Sequence, residues 1–264
     1  GGPGCRWVGN ERGYAFATNW SFIRSNDVHA GYTKHWELQH GHADGDKWVA
    51  AECDVSIRPG WFYRASEDDK VKSVDHLVDL YYRSVGHNST LLINLPVDRR
   101  GLVHPTDSTR LVEFHKQIAA ELRTNLIRKA NMLSATNTRD GFAVGNMVDG
   151  NYDTYWATED GCTTADITIR FGKAEKVNRL RLQEYIPLGQ RVRKFQVEYL
   201  AKAGWLPVDA GEETTTVGYK RLLRFKTVLT KAIRIRVTDA RGPLCINELG
   251  AYYAPNAKDS FVEK

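Results

Sequence analysis

The chain has 264 residues, of which 42% are hydrophobic and 26% are charged, and its formal net charge at pH 7 is +5. This length and apolar content fit one large domain or two ordinary domains with packed cores. Lys and Arg are interleaved with Asp and Glu rather than gathered in stripes, which argues against a nucleic-acid binder. No apolar run reaches the roughly 18 residues that a membrane span requires.

The first part of the chain begins with a strand and a helix. Residues 50–57 are predicted to form a strand, and residues 67–85 carry apolar side chains at helical spacing. Ser66 with Asp69 three residues later predicts the start of this helix. Gly86 is expected to end it as a glycine in the C′ position.

A second strand and a second helix follow. Residues 91–95 form a short apolar run that is typical of a parallel strand buried on both faces. Residues 105–122 are predicted to be helical, with Pro105 in the first turn and apolar side chains along one side. The order strand, helix, strand, helix indicates βα units, which place functional residues at the carboxyl ends of the strands.

The pattern changes after Asn125. Four segments alternate apolar and polar residues, as strands buried on one face do: residues 167–171, 179–183, 195–199 and 233–237. Short strands separated by turn-rich stretches imply an antiparallel sandwich. We therefore expect two domains, residues 1–122 and residues 123–256, followed by a polar tail at residues 257–264.

The cysteines do not indicate a metal site. Cys5, Cys53, Cys162 and Cys245 form no CxxC pair and no zinc-binding spacing. Cys162 and Cys245 both lie in the second domain and could form a disulfide, and free buried thiols are the alternative. The chain begins with GGPG, without Met and without a signal-peptide pattern, which suggests a processed or truncated product.

Three sequence blocks in the first domain resemble the family 29 α-L-fucosidases. They are ECDVSIRPGWFY at residues 52–63, LYYRSVGHN at residues 80–88, and LLINLPVD at residues 91–98 followed by Gly101. The blocks occur in the order and at the spacing of the family. The stretch RWVGNE at residues 6–11 is similar to the segment that carries the acid/base glutamate in the subgroup that prefers α-1,3/1,4-linked fucose.

The resemblance implies that residues 1–122 are the C-terminal part of a (β/α)8-like catalytic barrel, with Glu11 as the acid/base. Retaining glycosidases use two carboxyl groups about 5–5.5 Å apart, and the acid requires a partly desolvated site that raises its pKa. The alternative for Glu11 is a loop carboxylate paired with Arg6 or Arg12. The family's nucleophile is an Asp on an earlier strand, outside this chain, and Asp54 is the nearest substitute.

The resemblance also implies residues that contact the substrate. Trp61 is the best candidate for an apolar wall against the ring face and the methyl group of fucose. Arg58 could donate to a ring oxygen or to the nucleophile. Trp7 and Asn10, which precede Glu11, are also expected to contact the substrate. Ordinary packing at the mouth of the strand is the alternative for Trp61 and Arg58.

The second domain is similar to discoidin-like modules, also called F5/8 type C domains or family 32 carbohydrate-binding modules, which are antiparallel jelly rolls. The resemblance rests on VDGNYDTYW at residues 148–156, on residues 167–172, on residues 188–195 and on INEL at residues 246–249. It implies a Ca²⁺ site formed by Asp149, Asn151, Thr154 and Glu248, with a backbone oxygen from Asn146. Calcium takes six to eight oxygen ligands, and a tight Asp-Gly-Asn loop can supply several of them. An Asx turn bonded to the backbone is the alternative.

Together these resemblances imply a retaining α-L-fucosidase that needs no cofactor for catalysis. It would release terminal α-linked L-fucose, α-1,3/1,4-linked, from oligosaccharides or glycoconjugates in the periplasm or outside the cell. A missing N-terminal segment or a second chain would complete the barrel. The alternative is a non-catalytic sandwich that binds carbohydrate or calcium and is attached to an inactive part of a barrel.

Overall fold

The computed structural model describes residues 4–29 and 31–255. These residues form two compact units, one up to Ala120 and one from Glu121 onward, and each is described separately. The tail predicted at residues 257–264 lies outside the described residues. Among the described residues, no helix has the length and the hydropathy needed to span a bilayer.

The first unit combines short strands with helices. In chain order its elements are β1 (Cys5–Trp7), β2 (Phe22–Ile23), α1 (His35–His40), β3 (Lys47–Trp48), β4 (Ala50–Ser56), α2 (Val74–Arg83), β5 (Ser89–Asn94) and α3 (Pro105–Glu121). The strand predicted at residues 50–57 and the helix predicted at residues 105–122 are confirmed. The parallel strand predicted at residues 91–95 is also present, but its predicted burial on both faces is wrong, since Leu92 is 44% exposed.

The central element of this unit is a three-stranded parallel sheet in the order β1-β4-β5. Alternate residues of a strand point to opposite faces, and the buried residues on one face of β4 are Ala51, Cys53 and Val55. Val55 packs with Leu77 and Leu80 of α2 in a small apolar core. The opposite face of β4 carries the half-buried carboxylates of Glu52 and Asp54.

Helix α2 starts at Val74, later than the predicted residue 67. Its N-cap is Ser73, whose hydroxyl accepts a hydrogen bond from the backbone N–H of His76 at 3.2 Å. Residues Ala65–Glu67 form a separate 3-10 turn. Residues 68–73 do not continue it as an α-helix, because the backbone N–H of Lys72 donates to the carbonyl oxygen of Ile57 at 2.9 Å. The predicted start at residues 66–69 is therefore wrong.

The end of α2 also differs from the prediction. The helix ends at Arg83, and the hydroxyl of Ser84 donates to the carbonyl oxygen of Leu80 at 2.6 Å. The residue with a left-handed backbone is Asn88, at φ 59°, and not Gly86. The prediction of Gly86 as a C′ glycine is therefore wrong.

The second unit consists mainly of strands. They are β6 (Ala130–Ala135), β7 (Trp156–Ala157), β8 (Ala165–Glu184), β9 (Val192–Ala201), β10 (Gly204–Pro207), β11 (Arg221–Ala240) and β12 (Cys245–Tyr252). All of their pairings are antiparallel. The four predicted strands are confirmed, although residues 167–171 and 179–183 belong to one 20-residue strand, β8.

The two long strands, β8 and β11, carry different neighbours along their lengths. The first part of β8 pairs with β6 and the last part of β11, and its last part pairs with β12 and the first part of β11. Register shifts interrupt β11 between the two parts. One core contains apolar side chains from both parts, among them Ile167, Ile169, Leu180, Leu182, Ile235 and Leu249. This arrangement is consistent with a β-sandwich.

Glu184, the last residue of β8, holds the loop that follows it. Its buried carboxylate accepts hydrogen bonds from the backbone N–H groups of Arg191 at 2.6 Å, Val192 at 2.9 Å and Gly218 at 2.6 Å. Burial raises the pKa of this carboxyl group to about 7. At this end of the sheet, the carboxylate thus accepts the hydrogen bonds of three N–H groups that do not bond to a neighbouring strand.

The four cysteines are all free thiols. Of the two proposed to pair, Cys162 donates to the carbonyl oxygen of Thr164 at 3.2 Å, and the sulfur of Cys245 accepts from Arg191 at 3.3 Å. The structure therefore corresponds to the alternative without a disulfide.

Candidate active site

The candidate active site lies at the carboxyl ends of the parallel strands. β1 ends at Trp7, β4 ends at Ser56 and β5 ends at Asn94, and parallel strands bring these ends to the same edge of the sheet. The loop after β1 carries Glu11, and the loop after β4 carries Trp61. This edge is where α/β proteins place their functional groups.

Glu11 and Trp61 are in direct contact across these two loops. The indole N–H of Trp61 donates to Oε2 of Glu11 at 2.8 Å. The side chain of Glu11 is exposed, so the described residues do not provide the desolvated pocket that was expected around it. It nevertheless lines a cavity of about 440 Å³ together with residues of the following segment and of α2.

Two polar side chains at the strand ends fix the position of Trp61. The amide of Asn94 donates to the carbonyl oxygen of Trp61 at 2.9 Å and to the hydroxyl of Ser56 at 3.1 Å. The Ser56 hydroxyl in turn donates to the carbonyl oxygen of Gly60 at 2.7 Å. The loop that carries Trp61 is therefore held from both neighbouring strands.

Sequence analysis did not select Asn94 or Ser56. The available signal was weak: each is a polar residue at the last position of a largely apolar strand. Such a residue must satisfy its hydrogen bonds at the carboxyl edge of the sheet, but the sequence does not reveal which loop it contacts.

Trp7 and Asn10 have different partners. The indole N–H of Trp7 donates to Oδ1 of Asp54 at 2.6 Å, and the Trp7 side chain is 44% exposed. Asn10 stabilises its own loop, because its Oδ1 accepts from the backbone N–H of Arg12 at 2.9 Å and its amide donates to the carbonyl oxygen of Tyr14 at 3.1 Å. Trp7 is thus open to a ligand, whereas the amide group of Asn10 is engaged within the protein.

Arg58 requires a correction, because the structure places it inside the unit rather than at a substrate. Its side chain is 0% exposed. Its guanidinium donates to both oxygens of Asp107, at 2.7 and 2.9 Å, and to Asp68 at 2.8 Å. These carboxylates raise the pKa of Arg58. This geometry assigns Arg58 to the attachment of α3 and of the loop after β4. Arg58 contacts Asp107 and Asp68 in place of the predicted sugar or nucleophile.

Arg6, the alternative partner of Glu11, also bonds to other groups. Arg6 is buried, and its guanidinium donates to three backbone carbonyl oxygens and to the side chain of Asn19. Burial lowers the pKa of Arg6 to about 10. Arg6 therefore holds the segments around it together and is not the partner of Glu11.

The loop predicted to bind calcium in the second unit is an Asx turn. Oδ1 of Asp149 accepts the backbone N–H of Asn151 at 2.8 Å, and Oδ2 of Asp149 accepts the hydroxyl of Thr154 at 2.6 Å. Oδ1 of Asn151 accepts the backbone N–H of Asp153 at 3.0 Å. The side-chain oxygens of this loop are therefore engaged within the loop itself.

The two remaining calcium candidates contact other groups. Oε1 of Glu248 lies 2.5 Å from Nη2 of Arg181. The side-chain amide of Asn146 donates to the carbonyl oxygen of Tyr155 at 3.0 Å, which leaves the predicted role of the Asn146 backbone oxygen a prediction. Within residues 4–29 and 31–255, no three His, Cys, Asp or Glu side chains are grouped so that they could hold a metal ion. The donor set fits hydrogen bonds within the protein better than it fits Ca²⁺.

Comparisons with known proteins cover both units. Residues 132–249 match the F5/8 type C domain family. The chain is 38% identical over 258 residues to alpha-L-fucosidase 1 of Arabidopsis thaliana, covering 95% of this chain and 50% of the relative. It also resembles the crystal structure of a Bacteroides thetaiotaomicron protein provisionally named an α-L-fucosidase, with a TM-score of 0.91 and 38% identity, covering 97% of this chain and 56% of that one.

A third match carries a ligand. A Ruminococcus gnavus GH29 fucosidase in complex with fucose superposes with a TM-score of 0.86 at 33% identity, covering 97% of this chain and 52% of that one. The matches show that the chain is similar to glycoside hydrolases over both units and to F5/8 type C domains over residues 132–249. Within that class it is related to the α-L-fucosidases of glycoside hydrolase family 29. The chain spans about half the length of the curated relatives it matches.

Proposed function

We propose that this chain supplies the acid/base part of a retaining α-L-fucosidase. The observation that carries the proposal is the Glu11 carboxylate bonded to the Trp61 indole at 2.8 Å, at the carboxyl edge of the parallel sheet. The relationship to family 29 α-L-fucosidases supports it. A carboxyl group in this position can give a proton to an oxygen and take one from water.

We further propose that the parallel sheet with α2 and α3 is part of a (β/α)8-like barrel. The arrangement of three parallel strands with intervening helices supports this. The remaining strands would come from polypeptide outside these 264 residues or from a second chain. The same source would supply the nucleophile, about 5–5.5 Å from the acid/base in retaining enzymes.

In the proposed reaction, Glu11 protonates the leaving oxygen while an Asp outside these residues attacks the sugar. Glu11 then removes a proton from the water that hydrolyses the glycosyl-enzyme. Trp61 orients the carboxylate through its N–H and offers an apolar face to the sugar. Asp54 is less suited to be the nucleophile, because one of its oxygens already accepts the Trp7 N–H at 2.6 Å.

The proposed substrate is a glycan with terminal α-linked L-fucose, in α-1,3 or α-1,4 linkage. A solved relative binds fucose, and exposed Trp7 and half-buried Trp61 are available to its apolar surfaces. We propose that the protein works in the periplasm or outside the cell, where such glycans are found.

The test compares four proteins on a fucosylated oligosaccharide. A polypeptide that carries this chain together with the nucleophile should release fucose, whereas the chain alone should not. Glu11→Gln in the active polypeptide should lower kcat by about 10²–10⁴-fold, and Glu113→Gln, an exposed carboxylate of α3, should leave it unchanged. Full activity of Glu11→Gln, or ordinary turnover by the chain alone, would refute the proposal.

A further inference from the structure

Two guanidinium groups contact residues of the calcium site that was expected in the second unit. The carboxylate of Glu248 is paired with Arg181 at 2.5 Å, and the two side chains are only 11% and 23% exposed. This carboxylate is therefore neutralised by a guanidinium in a largely buried position. A metal ligand would instead keep its oxygens directed at the ion.

Arg128 covers the other half of the predicted site. Its Nη2 atom lies 3.0 Å from the point where a Cβ atom on Gly150 would sit, so the guanidinium lies against the turn that follows Asp149. Gly150 has a left-handed backbone with φ of 79°. A side chain at residue 150 would therefore be strained and would also displace Arg128.

Arg128, Arg181 and Glu248 share one neighbour. The ring centroid of Tyr252 lies 5.7 Å from the guanidinium carbon of Arg181. Burial raises the pKa of Tyr252, Glu248 raises it further, and Arg181 and Arg128 oppose the rise. The charges of both guanidinium groups thus act on the same phenol.

Lys220 lies within electrostatic range of the Arg181–Glu248 pair. Burial and the charge of Arg181 lower the pKa of its ammonium group, whereas Glu248 opposes that change. A divalent cation bound by Glu248 would therefore have to displace Arg181 from that carboxylate.

We propose that Arg181 and Arg128 close this loop in place of Ca²⁺, so that the F5/8 type C domain of this chain folds and keeps its loop ordered without calcium. Arg181 neutralises Glu248, Arg128 covers the turn at Gly150, and Asp149 is satisfied by Asn151 and Thr154. The inference concerns the second unit alone and is independent of the proposed hydrolase activity.

The test is hydrogen exchange of the whole chain in 1 mM EDTA and in 2 mM CaCl₂ (roughly the range in which extracellular calcium modules bind). The measured peptides cover residues 146–155 and 245–252. We expect equal protection in both buffers for the wild-type chain. The double variant Arg128→Gln/Arg181→Gln should exchange faster in residues 146–155, by about tenfold or more, because Glu248 loses its counter-charge and the turn loses its cover.

Arg234→Gln is the matched control, because Arg234 forms a similar ion pair with Glu198 at 2.6 Å, with side chains 21% and 13% exposed, elsewhere in the same unit. In the Arg234→Gln variant, peptides that cover residues 146–155 should exchange as in the wild type. Calcium-dependent protection of residues 146–155 in the wild-type chain would overturn the inference, and this arm needs no variant to fold. Unchanged protection in a folded double variant would overturn it as well.

Discussion

Arg58→Met is expected to destabilise the first unit rather than to act on a substrate. Arg58 and Asp107 are both 0% exposed and are joined by two hydrogen bonds, at 2.7 and 2.9 Å. Removal of one partner from a buried ion pair costs about 3–5 kcal/mol, because the other charge stays buried and unpaired. Asp107 lies in the first turn of α3, where the helix dipole favours a negative charge by about 0.3–1 kcal/mol. We therefore expect a loss near the lower limit, about 3 kcal/mol.

Hydrogen exchange of the β4 amides measures the free energy of unfolding of this unit separately from the second one. The double variant Arg58→Met/Asp107→Leu should recover most of the loss, since an apolar pair of similar volume replaces a buried ion pair well. Arg110→Met breaks an exposed pair with Glu113 on α3 and should cost about 0.3–0.5 kcal/mol. If Arg58→Met costs no more than this control, the structural assignment of Arg58 is refuted and a role at the substrate becomes the better account.

Two further predictions concern stability. Ser73→Ala removes the N-cap that His76 uses and should lower the free energy of unfolding by about 1 kcal/mol, measured by urea denaturation; an unchanged value would mean that α2 does not depend on this cap. The pKa of Glu184 rises from 4.5 to about 7 on folding, so the folded chain binds more protons and its stability should fall as pH increases from 4.5 to 7. Glu184→Gln should flatten this slope. If the stability of the wild type instead rises relative to that of Glu184→Gln between pH 4.5 and 7, the raised pKa of Glu184 is contradicted.

The sequence predicted the strands of the second unit well because their pattern follows from local chemistry. Ile233 and Ile235 alternate with Arg234 and Arg236, and the apolar residues are indeed the buried ones. The helix beginning at Pro105 was predicted for a similar reason, since its first turn and its apolar spacing are both local signals. Where neighbouring residues determine the structure, the pattern was sufficient.

The errors occur where distant residues decide. Residues 67–73 have helical spacing, yet Lys72 bonds back to Ile57 and the helix starts only after Ser73. Arg58 lies beside the pocket aromatic in the sequence, but its partner Asp107 is 49 residues away. The support of Trp61 by Asn94 spans 33 residues. A single sequence does not show which of these groups meet.

The acid/base assignment of Glu11 is tested most directly by the leaving-group dependence of Glu11→Gln in an active polypeptide that contains this chain. A dinitrophenyl fucoside needs no proton to depart, whereas an oligosaccharide does. We predict that the variant loses about 10²–10⁴-fold in kcat/KM on the fucosylated oligosaccharide and far less on the dinitrophenyl fucoside. Equal losses on both substrates would contradict proton donation by Glu11.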